Sequence, residues 1–227
     1  MSCCFEFLTI FAIKKVFEEF IEKLALQLQK PLPGENVQFR MGSDRRLKDF
    51  KFMPMNESTR KSAVMILLYP FDNSIYSVFI LRPDYDGTHS GQVAFPGGKY
   101  EETDDDLEMT ALRETSEEIG VDISKVTVLG KLTQLYIPPS NFVVYPVVGF
   151  VKERPLFNPD ANEVKEVIEY PLNVLLNKEN IKIKDFIVSD NMTFTAPYFD
   201  VHGHVVWGAT AMILSEFIEI VNQIGML

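Results

Sequence analysis

The sequence predicts one α/β domain with an N-terminal helical extension. Three observations carry this. Apolar residues recur at helical spacing near both ends. Two β-rich runs follow one another between residues 63 and 81. An acidic helix then precedes a second set of strand-like runs. No repeat, low-complexity tract or linker divides the 227 residues, and a 46% hydrophobic content supplies a substantial core. Residues 1–60 are expected to form an N-terminal helix and connecting segment, and residues 61–227 the main domain.

In order along the chain, Val16, Phe17, Phe20, Ile21, Leu24 and Leu28 make an amphipathic helix from Ile13 to Leu28, ended by Pro31 and Pro33. Its stripe packs on the core or on a second copy in a homodimer. The mixed polar stretch PGENVQFRMGSDRRLKDFKF reads as a long connection, with a basic cluster of Arg45, Arg46 and Lys48. AVMILLY and IYSVFIL, residues 63–69 and 75–81, are strands joined by a turn at Pro70-Phe71-Asp72-Asn73. Gln92 to Phe95 is a further short strand broken by Pro96-Gly97-Gly98. TDDDLEMTALRETSEEIG is a helix. Thr103 and Asp106 stand at capping-box spacing, three aspartates suit its positive end, and Gly120 caps its C-terminus. VTVLGKLTQLYI and NFVVYPVVGFV form two long strands around Pro138-Pro139. A short helix over 170–176, strands over 181–188 and 193–198, and a final helix from about Ala209 to Ile224 complete the order.

Composition excludes several functions. A net charge of −10 and a pI near 4.9 argue against nucleic-acid binding, which rests on basic stripes that neutralise phosphates. A small anionic substrate stays compatible, because a bound cation supplies positive charge locally. The first residues, MSCCFEFLTIFAIKK, carry no basic residue ahead of a short apolar run that Glu6 interrupts. They read as helix, not as a leader or membrane span. Cys3 and Cys4 are adjacent and cannot build a disulfide framework, which points to a reducing, cytoplasmic location. Gly87-Thr88-His89-Ser90-Gly91 misses the nucleophile-elbow spacing by one residue, Gly98-Lys99 lacks the rest of a P-loop, and no G-x-G-x-x-G opens a helix. His202 and His204 alternate on a predicted strand, and no cysteine or further histidine lies near to complete a zinc site.

RETSEEIG remains. At about 100° per residue, Glu114, Glu117 and Glu118 share one helix face. Such a face is either solvated acidic surface or a site for a hard divalent cation. The longer stretch GQVAFPGGKYEETDDDLEMTALRETSEEIGV resembles the signature of the Nudix hydrolases, G-x5-E-x7-R-E-U-x-E-E-x-G-U. Gly98, Arg113-Glu114, Glu117-Glu118 and Gly120-Val121 match it. Asp104 stands where the early glutamate belongs, with one additional residue before Arg113, and Thr115 replaces an aliphatic residue. The resemblance implies an α/β/α sandwich with a mixed sheet, spanning the main domain. It also implies hydrolysis of a nucleoside diphosphate linked to another group. Mg2+ or Mn2+ would be held by Glu114, Glu117, Glu118 and the Gly98 carbonyl, and Arg113 would have a structural role.

Upstream, VFILRPDYDGTHSGQVAFPGG is similar to the motif of the coenzyme A diphosphatase branch, matching at Arg82, Gly91 and Phe95 to Gly98. LYIPPSNFVVYPVVGFV, NEVKEVIEYPL and VVWGATAMIL extend the likeness. Ile80, Pro83 and Gly87 depart from it, the last replacing an arginine. This branch implies a coenzyme A-like substrate, with Arg82 and Lys99 contacting phosphate. Because Gly87 removes a cation from a chain of net charge −10, Arg45 or Arg46 is expected to reach the cleft in place of the missing arginine. Glu117, Glu163 and Glu166 are the candidates for the base. Two rivals stand beside it: a Nudix enzyme acting on ADP-ribose, NADH or a damaged nucleotide, and a Nudix scaffold that binds without hydrolysis. No nucleic-acid or membrane partner is expected.

Overall fold

A computed structural model describes residues 2–50, 55–84, 91–188 and 192–226. The first β-rich run is a strand, β1 (Arg60–Phe71), and the second is β2 (Ser74–Leu81). They pair as a hairpin through Asp72 and Asn73, both left-handed at φ 43° and 58°. The two-residue turn is therefore narrower than the predicted four, because Pro70 and Phe71 stay in the ladder opposite Ile75 and Ser74. β3 (Val93–Ala94) adds to β2 and ends before Pro96, as expected; Gly97 and Gly98 then open a separate strand, β4 (Gly97–Lys99), which pairs with β1.

Next come α3 (Leu107–Ile119) and the strands β5 (Thr127–Lys131), β6 (Leu135–Ile137) and β7 (Phe142–Phe150). β7 lies parallel to β1, whereas the other pairings in this sheet are antiparallel, giving a mixed sheet of order β3-β2-β1-β7-β5. The predicted strand over 126–137 is split. Thr133 turns out of the ladder, and its N–H and Oγ1 both donate to the buried Glu216 carboxylate. β8 (Glu166–Pro171) pairs with β2 and was not expected. It takes Tyr170 from the predicted helix and leaves only α4 (Leu172–Leu175). β9 (Ile181–Val188), β10 (Met192–Val201) and β11 (His204–Val206) make a second, antiparallel sheet. His202 sits at φ 51° in the turn with Gly203, so the two histidines do not occupy alternate positions of one strand.

β1 shows why the large sheet is covered on both sides. Met65, Leu67 and Tyr69 join a core with Ala111 and Ile119 of α3, while Ile66 and Leu68 join an opposite core. That second core receives α5 (Gly208–Ile224) through Phe217, Ile220 and Val221. It also receives α1 (Ser2–Leu28), which takes in the first residues as well as the amphipathic stretch, through Phe17, Phe20, Ile21 and Leu24. The architecture is helix, mixed sheet, helix. The connection after α1 is not irregular: α2 (Glu35–Gln38) and further helical turns at Phe39–Met41 and Arg46–Phe50 occupy it, with Val37, Gln38 and Met41 buried. Glu216 organises this segment, accepting from Gly34 N–H at 2.9 Å and Gln38 Nε2 at 2.8 Å. Among the described residues no helix is long and apolar enough to cross a membrane.

Candidate active site

α3 is fixed at both ends. Asp106, and not Thr103, is the N-cap, its Oδ1 accepting from Glu108 and Met109 N–H at 2.8 and 2.9 Å. Gly120 closes the helix at φ 71°, its N–H donating to Ser116. Thr115 is buried, and its hydroxyl donates to the Ala111 carbonyl at 2.6 Å, which lets a polar residue stand at an aliphatic position.

Asp104, just ahead of the helix, turns inward and is 4% exposed. Arg113 grips it with Nε and Nη2 at 2.8 and 3.1 Å, while Thr110 Oγ1 and the Glu101 N–H donate to it as well. The Arg113 hydrogen bonds hold the Asp104 carboxyl down at about 2. The same guanidinium reaches Glu114 at 3.0 Å, Glu117 at 2.8 Å and the Lys99 carbonyl at 3.0 Å. It thus ties the helix to β4.

β4 lies directly under the acidic face. Glu118, 2% exposed, accepts from Gly97 N–H at 2.7 Å, and its other oxygen is 3.8 Å from Arg82. Arg82 also donates to the Gly97 carbonyl at 3.3 Å. Burial pushes the Glu118 carboxyl up to about 8, against the lowering effect of the Gly97 N–H and Arg82; Glu114 and Glu163 raise it further. Glu114 is raised as well, by burial first, with Arg113 opposing.

The third carboxylate comes from the chain between β7 and β8. Asn158 N–H donates to the Ile119 carbonyl at 2.9 Å and Asp160 N–H to the Glu118 carbonyl at 3.0 Å, so the free end of α3 clasps this loop. Val164 N–H closes a turn onto Asp160 at 2.8 Å. The result places one carboxylate oxygen each from Glu114, Glu118 and Glu163 within 4.8 Å of one another. Three hard oxygen donors at that spacing, two of them raised by burial, form a set suited to a divalent cation.

Residues 59–190 match the NUDIX domain profile. The chain belongs to the Nudix family. Nudix hydrolase 22 of Arabidopsis thaliana, a chloroplastic protein, is 36% identical over 177 residues, covering 75% of this chain and 58% of that protein. The mitochondrial coenzyme A diphosphatase of Homo sapiens is 41% identical over 133 residues, covering 58% and 56%. The matches thus span little more than half the length of these relatives. A MutT/nudix family protein from Enterococcus faecalis shares the fold at a TM-score of 0.50 and 18% identity, covering 83% of this chain and 73% of that one.

Within this Nudix domain the other site residues from the sequence lie as follows. Glu117 is exposed and paired with Arg113, outside the three-carboxylate group. Glu163 belongs to that group, whereas Glu166 faces His204 at 3.9 Å. Lys99 is exposed at the end of β4. Arg46 donates to the Tyr136 carbonyl and lies 5.5 Å over the Phe39 ring. Gly87 lies outside the described residues. Sequence spacing could not reveal that Glu163 joins Glu114 and Glu118. The sequence offers Glu163 only as a candidate base; in the structure an Asx turn, Asn162 N–H donating to Asp160 Oδ1 at 2.9 Å, shapes the loop that carries it.

Proposed function

We propose that this chain is a divalent-cation-dependent diphosphatase that cleaves coenzyme A, or a close derivative, into 4′-phosphopantetheine and adenosine 3′,5′-bisphosphate. The observation that carries the reading is the convergence of Glu114, Glu118 and Glu163 over β4. The coenzyme A diphosphatase name of a relative supplies the substrate class. Glu114, Glu118 and Glu163, with the Gly98 carbonyl, would hold Mg2+ or Mn2+, which when bound neutralises diphosphate charge and acidifies the attacking water; Glu117 stays at the rim, paired with Arg113.

The chain's own residues do the rest. Arg113 positions α3 against β4 through Asp104 and Lys99 and holds Glu114 and Glu117 in place. Arg82, beside Glu118, is placed to donate to a diphosphate oxygen, and Lys99 extends the positive rim. Glu163 is exposed at the mouth of the cluster, where its carboxylate can take the proton of a water attacking phosphorus. The bridging oxygen then leaves on the other phosphate.

Gly87, in place of the motif arginine, keeps a second reading in view, a diphosphatase acting on ADP-ribose or NADH. A substrate panel run with magnesium and with manganese, products identified by mass, separates them. Coenzyme A as the best substrate supports our reading, and preference for ADP-ribose or NADH replaces it. A homodimer gains no support from α1, whose Phe17, Phe20, Ile21 and Leu24 are buried in its own chain. A cytoplasmic location stands beside relatives named chloroplastic and mitochondrial. Imaging of the tagged full-length protein decides it.

A further inference from the structure

A cleft of about 390 Å³ opens between the edge of the large sheet and the β9–β11 sheet. Leu81 and Gln92 line one side; Lys184, Phe186, His204 and Trp207 line the other. Phe186 and Trp207 stack with ring centres 4.3 Å apart and planes at 27°, and Phe194 backs both at 5.6 and 5.5 Å. Trp207 and Phe186 are half-buried, so faces or edges of both rings stay open to the cleft. Lys184 Nζ lies 4.8 Å from the Phe186 centre and 5.4 Å from that of Tyr198. Among the described residues Lys184 has no carboxylate partner, whereas its strand neighbour Lys182 is paired with Asp200 at 2.5 Å.

An aromatic brace for the small sheet would need neither an open side nor a lysine without a counter-ion in a chain of net charge −10. The cleft adjoins the carboxylate cluster along the chain. Leu81 lines it, and the next residue, Arg82, sits 3.8 Å from Glu118 and donates its backbone N–H to the Gln92 carbonyl at 3.0 Å. A molecule whose diphosphate lies over Glu118 and Arg82 has two halves to seat beyond them.

We propose that the cleft is the nucleotide subsite of the enzyme: Trp207 and Phe186 stack the purine base, and Lys184 meets the ribose phosphate. This rests on the diphosphatase reading of the neighbouring cluster. A partly exposed aromatic group beside an ammonium matches a base carrying a phosphate monoester. The pantetheine half is a flexible amide chain without an aromatic ring or a second anion. Lys184 thereby supplies the cation that Gly87 cannot, from an element remote in sequence.

Trp207 is the one tryptophan of the chain, so its fluorescence reports on the cleft directly. The full-length protein is titrated with adenosine 3′,5′-bisphosphate, with adenosine 5′-monophosphate and with 4′-phosphopantetheine, in wild type and in Lys184→Gln. We expect quenching by both nucleotides. Affinity for the bisphosphate should fall about tenfold in Lys184→Gln, the loss of one charge-assisted contact, while affinity for the monophosphate is unchanged. Quenching by 4′-phosphopantetheine alone, no quenching by either nucleotide, or equal bisphosphate affinity in both proteins overturns the proposal. Because the readout is binding without turnover, failure to hydrolyse coenzyme A would defeat the diphosphatase reading and leave this one standing. Hydrolysis without quenching would do the reverse.

Discussion

A Cβ atom added to Gly98 would lie 2.3 Å from Cδ of Glu114 and 2.4 Å from both its carboxylate oxygens. The strand passes so close to the acidic helix that the side chain of one residue fills the space beside the other. Gly97 is constrained differently: its φ is 153°, and a Cβ there would meet the Ala63 carbonyl of β1 at 2.3 Å.

The two glycines should therefore fail in different ways. Gly98→Ala displaces a movable carboxylate, and turnover should fall about a hundredfold, as when one preorganised charge is lost, with thermal stability close to wild type. Gly97→Ala meets backbone and should cost a few kcal/mol of stability. Thermal unfolding and steady-state rates on both variants check this. Equal loss of stability in the two would show that Gly98 is structural.

Glu114 and Glu117 both contact Arg113, yet only Glu114 belongs to the three-carboxylate group. Glu114→Gln should lower kcat at least about a hundredfold, and Glu117→Gln by about tenfold or less. Equal losses at saturating magnesium would make Glu117 a full member of the set.

The Asp104–Arg113 pair predicts a pH dependence of stability. The folded carboxyl is lowered to about 2 from an ordinary 3.8, so its contribution is present above pH 3.8 and is lost as pH falls through about 2. Asp104→Asn should cost about 2 kcal/mol at neutral pH. The difference from wild type should shrink between pH 4 and 2, read by urea unfolding across that range. A difference that is constant with pH would mean that charge is not what Asp104 contributes.

Glu216 is fully buried and accepts from Gly34, Gln38 and Thr133, joining the segment after α1 to α5 and to the break before β6. Glu216→Ala strands these donors and should destabilise by about 3 kcal/mol. At temperatures where the variant is folded, kcat/KM should stay near wild type. Loss of activity without loss of stability would place the residue in the site's machinery.

Much of this was legible in the sequence because it is local. Helical spacing gave α1, α3 and α5, Gly120 gave the end of α3, and the acidic face of RETSEEIG was visible at once. What stayed hidden depends on contacts distant in sequence. β8 has no assignment from the sequence before Tyr170 and becomes a strand by pairing with β2, and the run over 126–137 looks continuous until Glu216 draws Thr133 out of it. Thr103 has the capping spacing, but Asp104 beside it is held by Arg113, so Asp106 caps the helix instead. Glu163 is 45 residues beyond Glu118, and only the loop clasped by the end of α3 brings them together.

Glu118 is the most buried of the three carboxylates and the one that touches both Gly97 and Arg82. The most direct measurement is therefore the rate of coenzyme A cleavage by wild type and Glu118→Gln at saturating magnesium, products identified by mass, with folding of both checked by circular dichroism. Wild type should release 4′-phosphopantetheine and adenosine 3′,5′-bisphosphate only when the cation is present, and the folded variant should be at least about a hundredfold slower. A folded Glu118→Gln protein that keeps the wild-type rate, or wild-type cleavage that persists after chelation, would contradict a metal-dependent site built on these glutamates.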